Sequence, residues 1–167
     1  QRRESGRRTR IFVHQSAHSA LNPNMPAWLS GRLRAKQIVG TGLVIDFRRP
    51  DLSQDLKTAQ ANIKALRDMD VEVSLSRFPE KEAAFKVLRF LQAGYINIAP
   101  RLLKAEREVI SSVISHAHEA SAKVIVSNVD DPRSIDLHWS SGADYLQGNF
   151  IQRPLENMDY DFSQVVI

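Results

Sequence analysis

The sequence predicts an α/β fold built on a parallel sheet, and three observations carry that expectation. Short β-branched or apolar runs alternate with longer stretches of helical period, which is the pattern of βαβ units. The segments joining them are short. The composition, 43% apolar and 25% charged over 167 residues, is that of one globular domain able to bury a core. Six strand–helix repeats in this order suit a barrel or a doubly wound sheet, and the pattern alone does not separate the two. No GxGxxG or P-loop follows any strand, which argues against a dinucleotide-binding or nucleoside-triphosphatase fold.

Taken in order, the first strand is expected at 11–14, from Ile11 to His14. A helix follows at 27–37, with Pro26 suited to its first turn, where a missing N–H costs nothing. The Gly40-Thr41-Gly42 stretch ends it before a strand at 42–47. In the segment 52–69, Leu52, Leu56, Ala59, Ile63 and Leu66 fall at the three-to-four spacing that buries one stripe of a helix. A strand at 71–75 leads to a helix at 80–93, buried through Ala84, Val87, Leu88 and Leu91. A strand at 95–98 leads to a helix at 102–120, buried through Val109, Val113 and Ile114. After a strand at 123–127, Asp131 and Pro132 read as N-cap and first residue of a helix reaching to about 141. Gly142 supplies a left-handed stop before a last strand at 144–146. The tail, 156–167, carries Tyr160, Phe162, Val165, Val166 and Ile167 too densely for a free solvated end, so it is expected to pack on the domain or on a partner.

Charge and cysteine content narrow the chemistry. The net charge of +4 resides in residues 1–10, which hold five arginines (Arg2, Arg3, Arg7, Arg8, Arg10) and Glu4. The remaining 157 residues balance 18 basic against 18 acidic side chains. A neutral body without a basic stripe and interleaved aromatics argues against DNA or RNA as partner, and the arginines read as a solvated helix end. The absence of cysteine removes disulfides, thiolate metal sites and cysteine nucleophiles, and fits a reducing compartment. No apolar run approaches the roughly 20 residues of a membrane span, so a cytoplasmic protein is expected.

One segment is more specific than pattern. Gly142-Ala143-Asp144-Tyr145-Leu146-Gln147-Gly148 continues to Pro154 and is similar to the G-x-D-x-x-Q-G-x-x-x-x-x-P end of EAL phosphodiesterase domains. Upstream, Ile11-Phe12-Val13-His14-Gln15-Ser16-Ala17 resembles that family's VNLSA strand, and Leu43-Val44-Ile45-Asp46-Phe47 falls at LEITE. Val73-Ser74-Leu75-Ser76-Arg77-Phe78 falls at IALDDFG, Tyr95-Ile96-Asn97-Ile98-Ala99 at LKIDR, and Val124-Ile125-Val126-Ser127-Asn128-Val129 at VVAEGVE. The resemblance implies a (β/α)8 TIM-type barrel, here its later six or so βα units. The family's opening strands, including the one that gives it its name, would precede Ile11, so the chain is expected to be the C-terminal portion of one degenerate EAL domain.

The departures from the family decide the expected function. Active EAL domains are understood to hold two divalent metals through carboxylates and an Asn, with a Lys beside the attacking water. At the corresponding positions stand His14 for the Asn, Val44 for a Glu, Ser76 and Arg77 for the paired Asp, Asn97 for the Lys, Ala99 for an Asp, and Ser127 for a Glu. Two-metal hydrolysis requires anionic oxygen ligands, and an arginine in their place repels the metal. No metal and no catalytic residue is therefore expected. Other sites are weaker. The pairs His14/His18 and His116/His118 lack an acidic ligand at metal spacing, Asp130-Asp131 before Pro132 suits a helix cap, and Ser16 lacks an orienting acid and elbow glycines.

Binding does not require the metals. Gln15, Ser16, Ser74, Arg77, Asn97, Ser127, Asn128, Gln147, Gly148 and Pro154 are the candidate contacts for cyclic di-GMP, with Arg77 neutralising phosphate in place of a metal. The resemblance to inactive members of the family implies a cyclic di-GMP receptor acting in type IV pilus and twitching-motility control and engaging a PilZ-type protein. The eroded metal set and the tail pattern Met158-Asp159-Tyr160-Asp161-Phe162 are similar to theirs. The alternative is a scaffold that binds no nucleotide. A homodimer of the full-length protein is one arrangement the resemblance allows.

Overall fold

A computed structural model describes residues 9–156. Six parallel strands lie side by side in chain order: β1 (Ile11–Gln15), β2 (Leu43–Arg48), β3 (Glu72–Phe78), β4 (Tyr95–Ile98), β5 (Lys123–Val126) and β6 (Tyr145–Leu146). A doubly wound sheet changes direction at a switch point, whereas a barrel wall adds each strand beside the last. The observed order is that of a barrel wall. The expected tail lies outside the described residues from 157 onward, as does the arginine-rich start through residue 8.

The helices between the strands follow the sequence with four differences. α1 (Ala17–Leu21) was not anticipated, and it forms because the Ser16 hydroxyl accepts the Ser19 N–H at its first turn. α2 (Met25–Ala35) has Pro26 in its first turn as expected. The single helix expected at 52–69 is two, α3 (Arg49–Leu52) and α4 (Leu56–Arg67). Asp55 starts the second by accepting the Thr58 N–H at 3.1 Å and the Thr58 hydroxyl at 2.7 Å, so a local cap overrides a continuous apolar stripe.

α5 (Glu82–Leu91) buries Ala84, Phe85, Leu88 and Leu91. The stretch expected as one helix from 102 opens as a 3-10 turn (Pro100–Lys104), and α6 (Arg107–Glu119) begins after it. On α6 the buried stripe is Ile110, Val113, Ile114 and Ala117, which leaves Val109 on its exposed flank, contrary to expectation. α7 (Pro132–Ser140) starts as read from the sequence, with Asp131 accepting the Ser134 N–H at 3.3 Å. Gly142 has the left-handed φ of +95° that its stop position requires. No helix among the described residues is long and apolar enough to cross a membrane.

Strand side chains alternate between two faces. One set, including Ile45, Phe47, Val73, Leu75, Ile96, Ile98, Val124 and Val126, packs against the helices in the main core. The other set faces the concave side, where Val44, Tyr95 and Ile125 form a separate buried cluster. Each fully buried Leu, Ile or Phe in these layers contributes roughly 1.5–3 kcal/mol. At the strand N-terminal ends, the Tyr95 hydroxyl donates to Glu72 at 3.0 Å and Arg10 Nε donates to the other Glu72 oxygen at 2.9 Å. Burial first, and the Glu72 carboxylate second, push the Tyr95 phenol far above its usual value, so it stays a donor that closes the floor.

His138 on α7 is only 2% exposed and its Nδ1 has no hydrogen-bond partner among the described residues. Desolvation lowers its pKa below the ordinary imidazole value, against the opposing field of Asp131. The folded chain thus binds this proton less readily than the unfolded chain. Stability from neutral His138 is complete above about pH 6.5 and is lost as pH falls from there through the depressed folded value. Denaturant melts at pH 7.5 and pH 5 are expected to show a smaller acid-induced loss in His138→Asn than in the parent. An identical loss would contradict this assignment.

Candidate functional site

The polar end of the concave face lies at the strand C-termini. His14 and Asp46 occupy opposite positions on β1 and β2, and His14 Nδ1 is 3.0 Å from Asp46 Oδ2. Asp46 Oδ1 is buried without a partner, and beside it in register stands Ser74, 1% exposed, whose hydroxyl also has none. Arg48 emerges two residues after Asp46, and Ser76 donates its hydroxyl to the Phe47 carbonyl at 3.4 Å.

Across β4, β5 and β6 the side chains form a relay. Asn97 Nδ2 donates to Ser127 Oγ at 2.6 Å, and the Ser127 hydroxyl donates to Gln147 Oε1 at 3.3 Å. Each member orients the next, and the Gln147 amide nitrogen is left without a partner among the described residues, turned out as a pair of donors. Three residues proposed from sequence, Asn97, Ser127 and Gln147, are thereby brought together. His14, Asp46 and Arg48 belong to the same mouth and were not proposed as ligand contacts. Period-two alternation from Val44 was the signal that could have found Asp46 and Arg48.

The other proposed contacts are placed differently. Gln15 is in register with Phe47 and Leu75, which face the helices, so alternation carries it away from the mouth. Ser16 is committed to capping α1. Ser74 lies beneath the mouth, closed off by burial. Arg77 is exposed, with a left-handed φ of +54°, where the register of β3 slips between Leu75 and Phe78. Asn128, also left-handed at φ +64°, and Pro154 are both exposed.

The glycine motif proves to be largely architectural. Asp144 accepts the Val124 N–H at 2.8 Å and lies 2.8 Å from His118 Nε2, joining β5, β6 and α6. Gly148 packs on the backbone of Val129: a Cβ there would sit 2.1 Å from the Val129 oxygen. Asp130 then accepts both the backbone and side-chain N–H groups of Asn149, at 3.0 and 3.1 Å, which locks the loop after β6 to the loop after β5. Gly148→Ala must displace backbone, and in urea denaturation it is expected to cost about 2 kcal/mol or more. A cost near zero would show that this close approach is not needed.

The mouth does not fit a pair of hard divalent cations. Val44 and Ala99 offer no ligand atom, Ser76, Asn97 and Ser127 offer neutral oxygens, and Asp46 is a single carboxylate, one oxygen of which lies 3.0 Å from His14 Nδ1. Among the described residues no group of three or more His, Asp or Glu side chains is arranged to hold a metal. What the mouth offers is mostly neutral hydrogen-bonding groups, with the Asp46 carboxylate beside His14 and the Arg48 guanidinium near the end of β2, a set able to pair with a polar anionic ligand.

Comparison with known proteins agrees with this architecture. Residues 1–154 match the EAL domain family. The chain superimposes on the FimX EAL domain of Pseudomonas aeruginosa bound to c-di-GMP with a TM-score of 0.87 and 28% identity, covering 95% of this chain and 67% of that one. For the Xanthomonas citri FimX EAL domain in complex with c-diGMP the TM-score is 0.86 at 24% identity, covering 96% and 66%. Among curated relatives, the cyclic di-GMP phosphodiesterase PdeF of Escherichia coli is 20% identical over 90% of this chain and 21% of its own length. An uncharacterized 76.5 kDa protein of Thiocystis violacea is 21% identical over 95% of this chain and 23% of its own length. The chain thus spans less than a quarter of these curated relatives and about two thirds of the solved FimX domains. The six strands correspond to part of the TIM-type barrel of those domains, and the chain belongs to the EAL domain family.

Proposed function

We propose that this chain is part of a catalytically inactive EAL domain that binds cyclic di-GMP without metal and passes the signal on by protein contact. The observation that carries the reading is the Asn97–Ser127–Gln147 relay, which spans the strand ends where the active family places a lysine and a carboxylate. It presents amide donors and no anionic cage. Such groups pair with nucleobase edges and phosphate oxygens but do not generate hydroxide at neutral pH. The FimX domains solved with c-di-GMP support the same ligand here. The sequence resemblance to inactive EAL receptors extends this proposal to a downstream role in twitching motility and type IV pilus control through a PilZ-type partner, in the cytoplasm.

Calorimetric titration of the intact chain with cyclic di-GMP in EDTA is the test. Saturable heat is expected, unchanged when Mg²⁺ replaces EDTA, with about tenfold weaker binding in Gln147→Ala. Absence of heat at high micromolar ligand would replace this reading with that of a scaffold without nucleotide. Affinity that appears only with divalent metal would contradict it as well.

A further inference from the structure

β2 ends in two consecutive arginines, and the first stands at the mouth. Arg48 follows Asp46 by two residues, so alternation places it on the same side of the strand, and its backbone is in register with Ser76 of β3. The residue after Ser76 is Arg77, which sits where β3 loses register, the kind of irregularity that re-aims a side chain at a strand end. Two guanidiniums are thus carried by neighbouring strand ends on either side of the Ser76 position.

Neither is well satisfied. Arg48 Nε is buried with no hydrogen-bond partner, and the carboxylate nearest to it, Asp51 Oδ2 on α3, is 3.8 Å away, beyond hydrogen-bonding reach. Arg77 is exposed and makes no ion pair among the described residues. A donor withdrawn from water without a partner is costly, and an anion with two oxygens is the partner whose geometry matches a guanidinium fork.

We infer that Arg48 and Arg77 form a phosphate subsite at the β2–β3 end of the mouth, in which Arg48 leaves its loose contact with Asp51 to take two phosphate oxygens. The inference rests on the reading of the mouth as a cyclic dinucleotide site and adds a division of labour. The β2–β3 end holds phosphate by charge, while the Asn97–Ser127–Gln147 end is left to a base edge.

The test uses the full chain, with cyclic di-GMP titrated by calorimetry and inorganic pyrophosphate as a second probe followed by thermal shift. Arg48→Gln is expected to weaken cyclic di-GMP by about 10- to 100-fold and to abolish stabilisation by pyrophosphate. Asp51→Asn, which keeps both arginines and removes the competing carboxylate, is expected to tighten binding several-fold. A purely structural Arg48 would not produce that gain. Cyclic di-GMP binding that neither variant alters would overturn the subsite and leave the mouth's function standing. Pyrophosphate stabilisation that depends on Arg48, without any cyclic di-GMP binding, would uphold the subsite and overturn that function. If the parent chain responds to neither probe, both fall.

Discussion

Side chains on a strand alternate between two faces, and in a sheet built strand beside strand from β1 to β6 this constraint sorts the molecule. One face must be apolar, because α4, α5 and α6 bury their own apolar stripes against it. The other is closed at its floor by Val44, Tyr95, Ile125 and the Glu72 hydrogen bonds, and is free to be polar only toward the strand C-termini. Phe47 and its neighbours Asp46 and Arg48 illustrate the sorting: one residue of the three belongs to the core, and the flanking two belong to the mouth. A slip of one residue in β2 would exchange those roles and bury two charges.

Much of the fold was legible in the sequence because each helix announces its buried stripe and each strand its β-branched run. Periodicity alone did not give the strand order, since it describes faces and not neighbours; the EAL motifs implied a barrel, and the side-by-side order of β1 through β6 bears that out. The misjudged helices share a cause. At Asp55 and in the Pro100 turn, local capping and the fixed backbone of proline interrupt stripes whose apolar spacing runs on across the break.

The site was half legible. Asn97, Ser127 and Gln147 were proposed because they occupy positions where the EAL family places functional groups, and the structure joins them by hydrogen bonds. Gln15, Ser16 and Ser74 were proposed for being polar near strand ends, yet parity, capping and burial each give them other work. Gly148 was proposed as a ligand contact, whereas its missing side chain leaves room that the Val129 backbone fills. Asp46 and Arg48 escaped notice because residue type alone does not say which face of a strand a side chain takes.

The central claim is that this mouth holds an anionic dinucleotide through amides, hydroxyls and guanidiniums in place of metals. A crystal structure of the intact chain, grown with cyclic di-GMP and excess Mg²⁺, addresses it most directly. The account predicts an intact cyclic ligand with Gln147 within hydrogen-bonding distance of it and no cation at His14, Ser76 or Asn97. Two Mg²⁺ ions bridging those strand ends, or a cleaved linear product in the density, would contradict it.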